Sequence, residues 1–271
     1  MKIAFIGGGN MASAIVGGLL QRGYAPAEIG IVEVAAEARQ RLAEQFKVQV
    51  FAEPVAELLD APLIVLAVKP QQLADVAATL ASKLSTQLVI SIAAGIRSTD
   101  LSRWLNGYQN IVRVMPNTPA LVQAGVAGLL ALPSVSKANR DAAEALMRCV
   151  GEVIWVESDD AIDAVTAVSG SGPAYVFYFI EALEQAARDL GLDADAARTL
   201  SLQTFSGAAK LALGSSESAG VLRARVTSKG GTTERAILTM QQSKIGEQFA
   251  VAVRAAAQRS RELGDEFGQS R

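Results

Sequence analysis

The chain has 271 residues, half of them hydrophobic and 19% charged, a balance that is globular rather than disordered. Lys and Arg number 25 against 27 Asp and Glu, and the net charge of -2 lacks the basic excess of a general nucleic-acid binder. Histidine is absent and the one cysteine is Cys149, which excludes a Ser-His-Asp or Cys-His hydrolase, a His-ligated or multi-cysteine metal site and an internal disulfide. No metal is expected, and Cys149 reads as a small buried hydrophobe in an amphipathic segment.

The first half alternates short apolar runs with helical patterns. Residues 2–6, 28–32, 63–68, 87–92 and 111–115 read as strands buried on both faces of a parallel sheet. Helical patterns cover 11–22, 35–46, 70–83 and 99–105, and two further apolar runs, 126–131 and 151–156, flank a helix over 137–150. This β-α-β alternation predicts a doubly wound α/β sheet. After residue 158 the strand signals stop, and 161–168, 173–190, 194–213, 219–225, 233–242 and 246–263 favour helix through their Ala, Leu, Glu, Arg and Gln content. The fold class is therefore α/β: an N-terminal Rossmann-like dinucleotide-binding domain over 1–158 followed by an all-helical substrate-binding and dimerisation domain over 159–271. Residues 174–180 are apolar nearly all round and too many for a thin helical domain to cover alone, so an intimate homodimer is expected. With no uncharged apolar run of 18 residues, no membrane span is expected; with Lys2 leading directly into a strand, no signal peptide is visible, and the expected location is cytoplasmic.

Gly7-Gly8-Gly9-Asn10-Met11-Ala12 follows the first strand and opens a helix, matching G-x-G-x-x-A. In that motif the first glycine makes the tight turn, the second lets pyrophosphate approach the backbone, and the small last residue keeps helix and strand close. The residues after the later strands fall on the same rim. Glu33 ends the second strand, where an acid binds the adenosine ribose hydroxyls and repels a 2′-phosphate, which favours NADH. Lys69, before Pro70, either pairs with phosphate or is a solvated strand-end lysine. Ala93, Ala94 and Gly95 are small enough for a nicotinamide or ribose to lie close. Asn117, between Pro116 and Pro119, either bonds a nicotinamide amide or is a plain turn residue. The candidate cofactor contacts are Ile6, Gly7, Gly8, Gly9, Asn10, Met11, Glu33, Ala67, Val68, Lys69, Pro70, Ile92, Ala93, Ala94, Gly95 and Asn117.

Near the C-terminus, Val226-Thr227-Ser228-Lys229-Gly230-Gly231-Thr232-Thr233-Glu234-Arg235-Ala236-Ile237 places hydroxyls and a Gly pair before a helix start. It reads either as a helix cap with a flexible lead-in or as an anion nest at a helix N-terminus.

With both segments in view, the chain resembles the pyrroline-5-carboxylate reductase family almost end to end. The likeness lies in 5–12, Ala67-Val68-Lys69-Pro70-Gln71, Ser91-Ile92-Ala93-Ala94-Gly95-Ile96, Arg113-Val114-Met115-Pro116-Asn117-Thr118-Pro119, residues 164–175 and the 226–237 stretch. The resemblance implies reduction of 1-pyrroline-5-carboxylate, a cyclic imino acid, to L-proline by NADPH or NADH. It implies that Ser228, Gly230, Gly231 and Thr232 bind the substrate carboxylate, that Thr233 bonds the ring nitrogen and that Glu217 lies at the rim of that site. It also implies an interwound homodimer whose dimers assemble further into decamers. Two residues depart from the family pattern: Lys229 stands where Pro is common, and Pro54 about where an Asn touches the adenosine ribose or its phosphate. Competing readings are a reductase of a neighbouring cyclic imine, a non-catalytic dinucleotide sensor, and a β-hydroxyacid dehydrogenase. The last needs a lysine where Val176 stands.

Overall fold

A computed structural model of the chain describes residues 2–269. Six strands run parallel: β1 (Ile3–Ile6), β2 (Ile29–Val32), β3 (Gln49–Phe51), β4 (Leu63–Leu66), β5 (Leu88–Ser91) and β6 (Ile111–Met115), in the order β3-β2-β1-β4-β5-β6. The order reverses between β1 and β4, so the carboxyl end of β1 opens on the crevice where open α/β sheets bind ligands. The crossovers carry α1 (Asn10–Gln21), α2 (Ala36–Phe46), α3 (Ala56–Leu59), α4 (Pro70–Leu80) and α5 (Ser98–Trp104). Alternation along β1 feeds two cores. Ile3 and Phe5 join Ile31, Val65 and Ile90 under Ile15, Leu19 and Leu42, while Ala4 and Ile6 join Ile64, Leu66 and Val89 under Leu73, Leu80 and Leu101.

The structure departs from the doubly wound expectation at the seventh strand. β7 (Gly125–Ala131) runs antiparallel to β6, and β8 (Gly151–Trp155) follows it in parallel through α6 (Lys137–Met147). The link from β6 to β7 contains only the 3₁₀ turn Thr118–Val122, and a parallel return needs a crossover of a dozen residues or more. β3 and α3 do not register as periodic patterns in the sequence because they have three and four residues.

Past β8 the chain enters α7 (Asp159–Val165), whose last turn widens into a π-helical turn over Thr166–Gly170. The wide turn is closed by Ser171 N–H to the Thr166 carbonyl at 2.8 Å. The predicted helix 161–168 thus spans two geometries. Next come α8 (Gly172–Asp189), α9 (Ala194–Leu213), α10 (Ala219–Arg225), α11 (Thr232–Gln242) and α12 (Ile245–Gly268).

Two compact units divide after Ser171, and the chain from Ala255 onward packs with the first unit. A buried polar network shows why. Arg113 of β6, 3% exposed, pairs with Asp159 at 2.5 Å and faces Asp163 at 3.9 Å. Ser260 of α12 donates to Asp163 at 2.6 Å, and Ser98 donates to Asp159 at 2.8 Å. Around it, Gly95 packs against Phe267 and Leu263. The second unit, Gly172–Arg254, has little interior of its own: none of the residues of α8, α10 and α11 is buried, and α9 buries only Ala197 and Ser201.

Candidate functional site

Gly7 adopts φ +106°, and a Cβ there would lie 2.6 Å from the Ala67 carbonyl oxygen and 2.9 Å from Val68 N. Backbone conformation and the wall formed by Ala67 and Val68 both demand glycine. Gly8 is enclosed by Leu42 and Glu33, whereas a Cβ on Gly9 would meet open space. α1 starts behind Gly9 with no side-chain cap, and Ala12 is 1% exposed where helix meets sheet. Bare amides beside open space at a helix start fit a pyrophosphate, with Asn10 and Met11 in its first turn. Ile6 is buried in the strand below.

Glu33 sits beside this turn. Its Oε2 accepts from Gly8 N–H at 3.1 Å and its Oε1 from Ala35 N–H at 2.9 Å. Lys69 is exposed, forms no ion pair among the described residues, and is the extended residue before Pro70, the first residue of α4. Its ammonium is therefore available to a phosphate.

Two rim residues serve other ends than the sequence suggests. Gly95 has φ +73° and its missing side chain makes room for Phe267, so its smallness serves helix packing; Ala94 is exposed, with Ile92 half-buried and Ala93 buried beside it. Asn117 is 8% exposed and spends its carboxamide inside the protein, accepting from Val126 N–H at 2.9 Å and donating to the Ser169 carbonyl at 3.2 Å. It pins β7 to the π-helical turn, a positioning role that leaves one N–H and one lone pair of the carboxamide unused. The π turn is the feature sequence reasoning missed; its trace is Gly170, where a Cβ would strike the Met115 methyl.

In the second unit, Gly230 adopts φ +74° and Gly231 caps α11 without a side-chain bond. A Cβ on Gly231 would lie 2.6 Å from Ser228 Oγ, so the second glycine is what lets Ser228 fold over the turn. Thr227 and Thr239 return their hydroxyls to the helix carbonyls of Arg223 and Arg235 at 2.6 and 3.0 Å. The Thr233 hydroxyl, half-buried in the first turn of α11 beside Thr232, has no hydrogen-bond partner among the described residues. One amide of the nest is already in use: Gly230 N–H donates to Glu234 Oε2 at 2.7 Å. Glu217 is held by Arg225 at 2.5 Å, a paired rather than a free carboxylate. Burial pushes the Cys149 thiol up from its ordinary value, as suits an inert side chain.

A sheet in this order with a glycine turn at its switch point, followed by a helical unit, defines a Rossmann-type dinucleotide-dependent oxidoreductase. Residues 159–263 match the family model for pyrroline-5-carboxylate reductase dimerisation, and residues 2–95 match that for NADP oxidoreductase, coenzyme F420-dependent. The pyrroline-5-carboxylate reductase of Pseudomonas aeruginosa is 44% identical over 99% of this chain and 98% of its own length; that of Haemophilus influenzae is 42% identical over 96% and 97%. The structure of a pyrroline-5-carboxylate reductase from Coxiella burnetii superposes with a TM-score of 0.92 at 44% identity, covering 97% of this chain and 98% of that one. That of a pyrroline carboxylate reductase from Plasmodium falciparum, with NADP bound, does so at 0.85 and 28%, with the same coverage. The chain belongs to the pyrroline-5-carboxylate reductase family of NAD(P)H-dependent oxidoreductases.

Proposed function

We infer that the chain reduces 1-pyrroline-5-carboxylate to L-proline with NADPH or NADH, the last step of proline biosynthesis. The observation that carries the site is the Thr233 hydroxyl, left without a protein partner beside an uncapped helix start. When bound, the dinucleotide supplies the hydride. The chain supplies position. The glycine turn, with Gly7 closing on Ala67, presents α1 to the pyrophosphate, and Lys69 adds charge at the same rim. The amides of Gly231 and Thr232 and the Ser228 hydroxyl receive the substrate carboxylate, and Thr233 Oγ orients the ring nitrogen. A cyclic imine is basic and takes its proton before hydride arrives, so a site without histidine meets the chemistry. Alignment of the reacting carbons is the contribution such a site makes.

Val176, Phe177 and Tyr178, which as consecutive residues of α8 project to different sides of the helix, are 44–68% exposed, and Tyr175 and Phe179 make edge-to-face contacts with Phe249 at 5.6 Å. That apolar surface and the match to a dimerisation domain support a homodimer, with decamers as the larger assembly. No helix among the described residues is long and apolar enough to cross a membrane. The test is the loss of NAD(P)H absorbance on adding 1-pyrroline-5-carboxylate, run beside the six-membered piperideine carboxylate. Turnover of the five-membered ring supports the assignment, preference for the larger ring assigns a neighbouring imine, and binding without turnover makes the protein a sensor.

A further inference from the structure

The turn between β2 and α2 holds two opposite charges, each fixed by backbone partners rather than by the other. Glu33 bridges the Gly8 and Ala35 amides through its two oxygens, at 3.1 and 2.9 Å. A carboxylate has about four acceptor positions, so each oxygen keeps capacity for a ligand hydroxyl. The Arg39 guanidinium, from the first turns of α2, places Nη1 on the carbonyls of Glu33 and Val34 at 2.9 and 2.8 Å. It forms no ion pair among the described residues, so its charge is uncompensated, and Nε and Nη2 stay free to donate. Between the two, Val34 is 79% exposed and gives an apolar surface for an adenine ring. This turn borders the adenosine end of a dinucleotide in such folds.

We propose that Glu33 and Arg39 together set the cofactor choice: Glu33 selects NADH, and Arg39 is a latent ligand for the 2′-phosphate of NADPH that dominates once Glu33 is neutral. The inference rests on the dinucleotide reading of this rim and not on which imine is reduced. It runs opposite to the likeness of residues 2–95 to an NADP oxidoreductase and to the NADP carried by the Plasmodium falciparum relative. The physical ground is a locked carboxylate. Backbone bonds at both oxygens keep it from swinging aside for a phosphate, so a 2′-phosphate meets its charge at close range, screened only in part by salt. Arg39 offsets part of that repulsion, which makes NADPH a weaker cofactor rather than an excluded one.

The experiment is titration of NADH and NADPH into the full-length protein without imine, followed by nucleotide fluorescence at fixed 0.1 M salt. The parent should bind NADH about tenfold or more tightly than NADPH, the size of effect a single charge at a partly exposed site gives. Glu33→Ser should bring NADPH to at least equal affinity. Arg39→Gln should weaken NADPH several-fold more than NADH, and Glu33→Ser with Arg39→Gln should lose the NADPH gain. Tighter NADPH binding by the parent, an unchanged ratio in Glu33→Ser, or full NADPH affinity in the double variant would each overturn the proposal. Binding of neither cofactor would overturn it together with the dinucleotide reading. The expected ratios without imine turnover would support the selector and count against the reductase reading alone.

Discussion

Replacing Thr233 by Ala removes one hydroxyl, and the structure predicts where its loss is felt. The Thr233 oxygen has no partner among the described residues, so the fold loses no hydrogen bond, and Ala is the better helix former by about 0.5 kcal/mol. Thermal stability should stay within about 0.5 kcal/mol of the parent. In the proposed reaction the same hydroxyl faces a protonated imine, and hydrogen bonds to charged groups contribute about 1.5–3 kcal/mol. That converts to a fall in kcat/KM of about 10- to 150-fold. Steady-state oxidation of NAD(P)H with 1-pyrroline-5-carboxylate measures it, while nucleotide fluorescence should report an unchanged Kd for the cofactor. Thr233→Ser should recover most of the rate. Thr239→Ala, which removes a hydroxyl already bonded to the Arg235 carbonyl at 3.0 Å, should leave the rate alone. Parent-like kcat/KM in Thr233→Ala would remove the hydroxyl from the mechanism. A large loss of stability would give it a structural role instead.

Gly7→Ala sets a Cβ 2.6 Å from the Ala67 carbonyl at φ +106°, so isothermal titration should show both cofactors weakened by about tenfold or more. Arg113→Met leaves Asp159 and Asp163 without their cation; removing one partner of a buried pair costs about 3–5 kcal/mol, which urea unfolding should detect at fixed protein concentration. Restoring neutrality with Asp159→Asn and Asp163→Asn should recover part of that loss, and an unshifted midpoint in Arg113→Met would show the network to be idle. Glu234→Ala frees the Gly230 amide and removes a negative charge beside the proposed carboxylate site, so KM for the imine should fall about three- to tenfold, whereas a rise would make Glu234 a helix cap only.

What the sequence discloses tracks the range over which each feature is determined. Gly7 is legible because its positive φ and the helix it introduces are local, although the Ala67 wall that also demands glycine is not, and the Gly230-Gly231 pair is legible for the same local reason. The parallel strands show as uninterrupted apolar runs since both faces of the sheet are covered. The direction of β7 is a property of the link before it, which carries no periodicity, and β3 is shorter than any period can reveal. Asn117 and Gly95 fail differently. Each occupies a rim position, but the partner that decides its role, Ser169 or Phe267, lies 52 or 172 residues away, and local pattern has no reach over such distances.

The reversal at β7 also orders the helix starts. Helices that follow strands pointing toward the Gly turn, α1, α2, α3 and α4, begin behind Gly9, Ala35, Val55 and Lys69, with no side chain bonding their first amides. α5 has no cap from its own Arg97 and takes Asp159 from α7 instead, at 3.3 Å to the Ser98 amide. α6 and α7 follow the two strands that run the other way, and both are capped in the usual manner by Ser136 and Ser158. In the second unit Asp193 and Ser218 cap α9 and α10, and α11 alone of those three begins on a bare glycine. A side-chain cap is worth about 1 kcal/mol over Ala and a few tenths of that over Gly, so each bare start is a stability cost that a bound anion can offset by taking the same amides. Capping Gly9, where a Cβ meets open space, with Asp should therefore raise thermal stability and lower cofactor affinity together. A gain in both would mean that the bare starts are not held open for ligands.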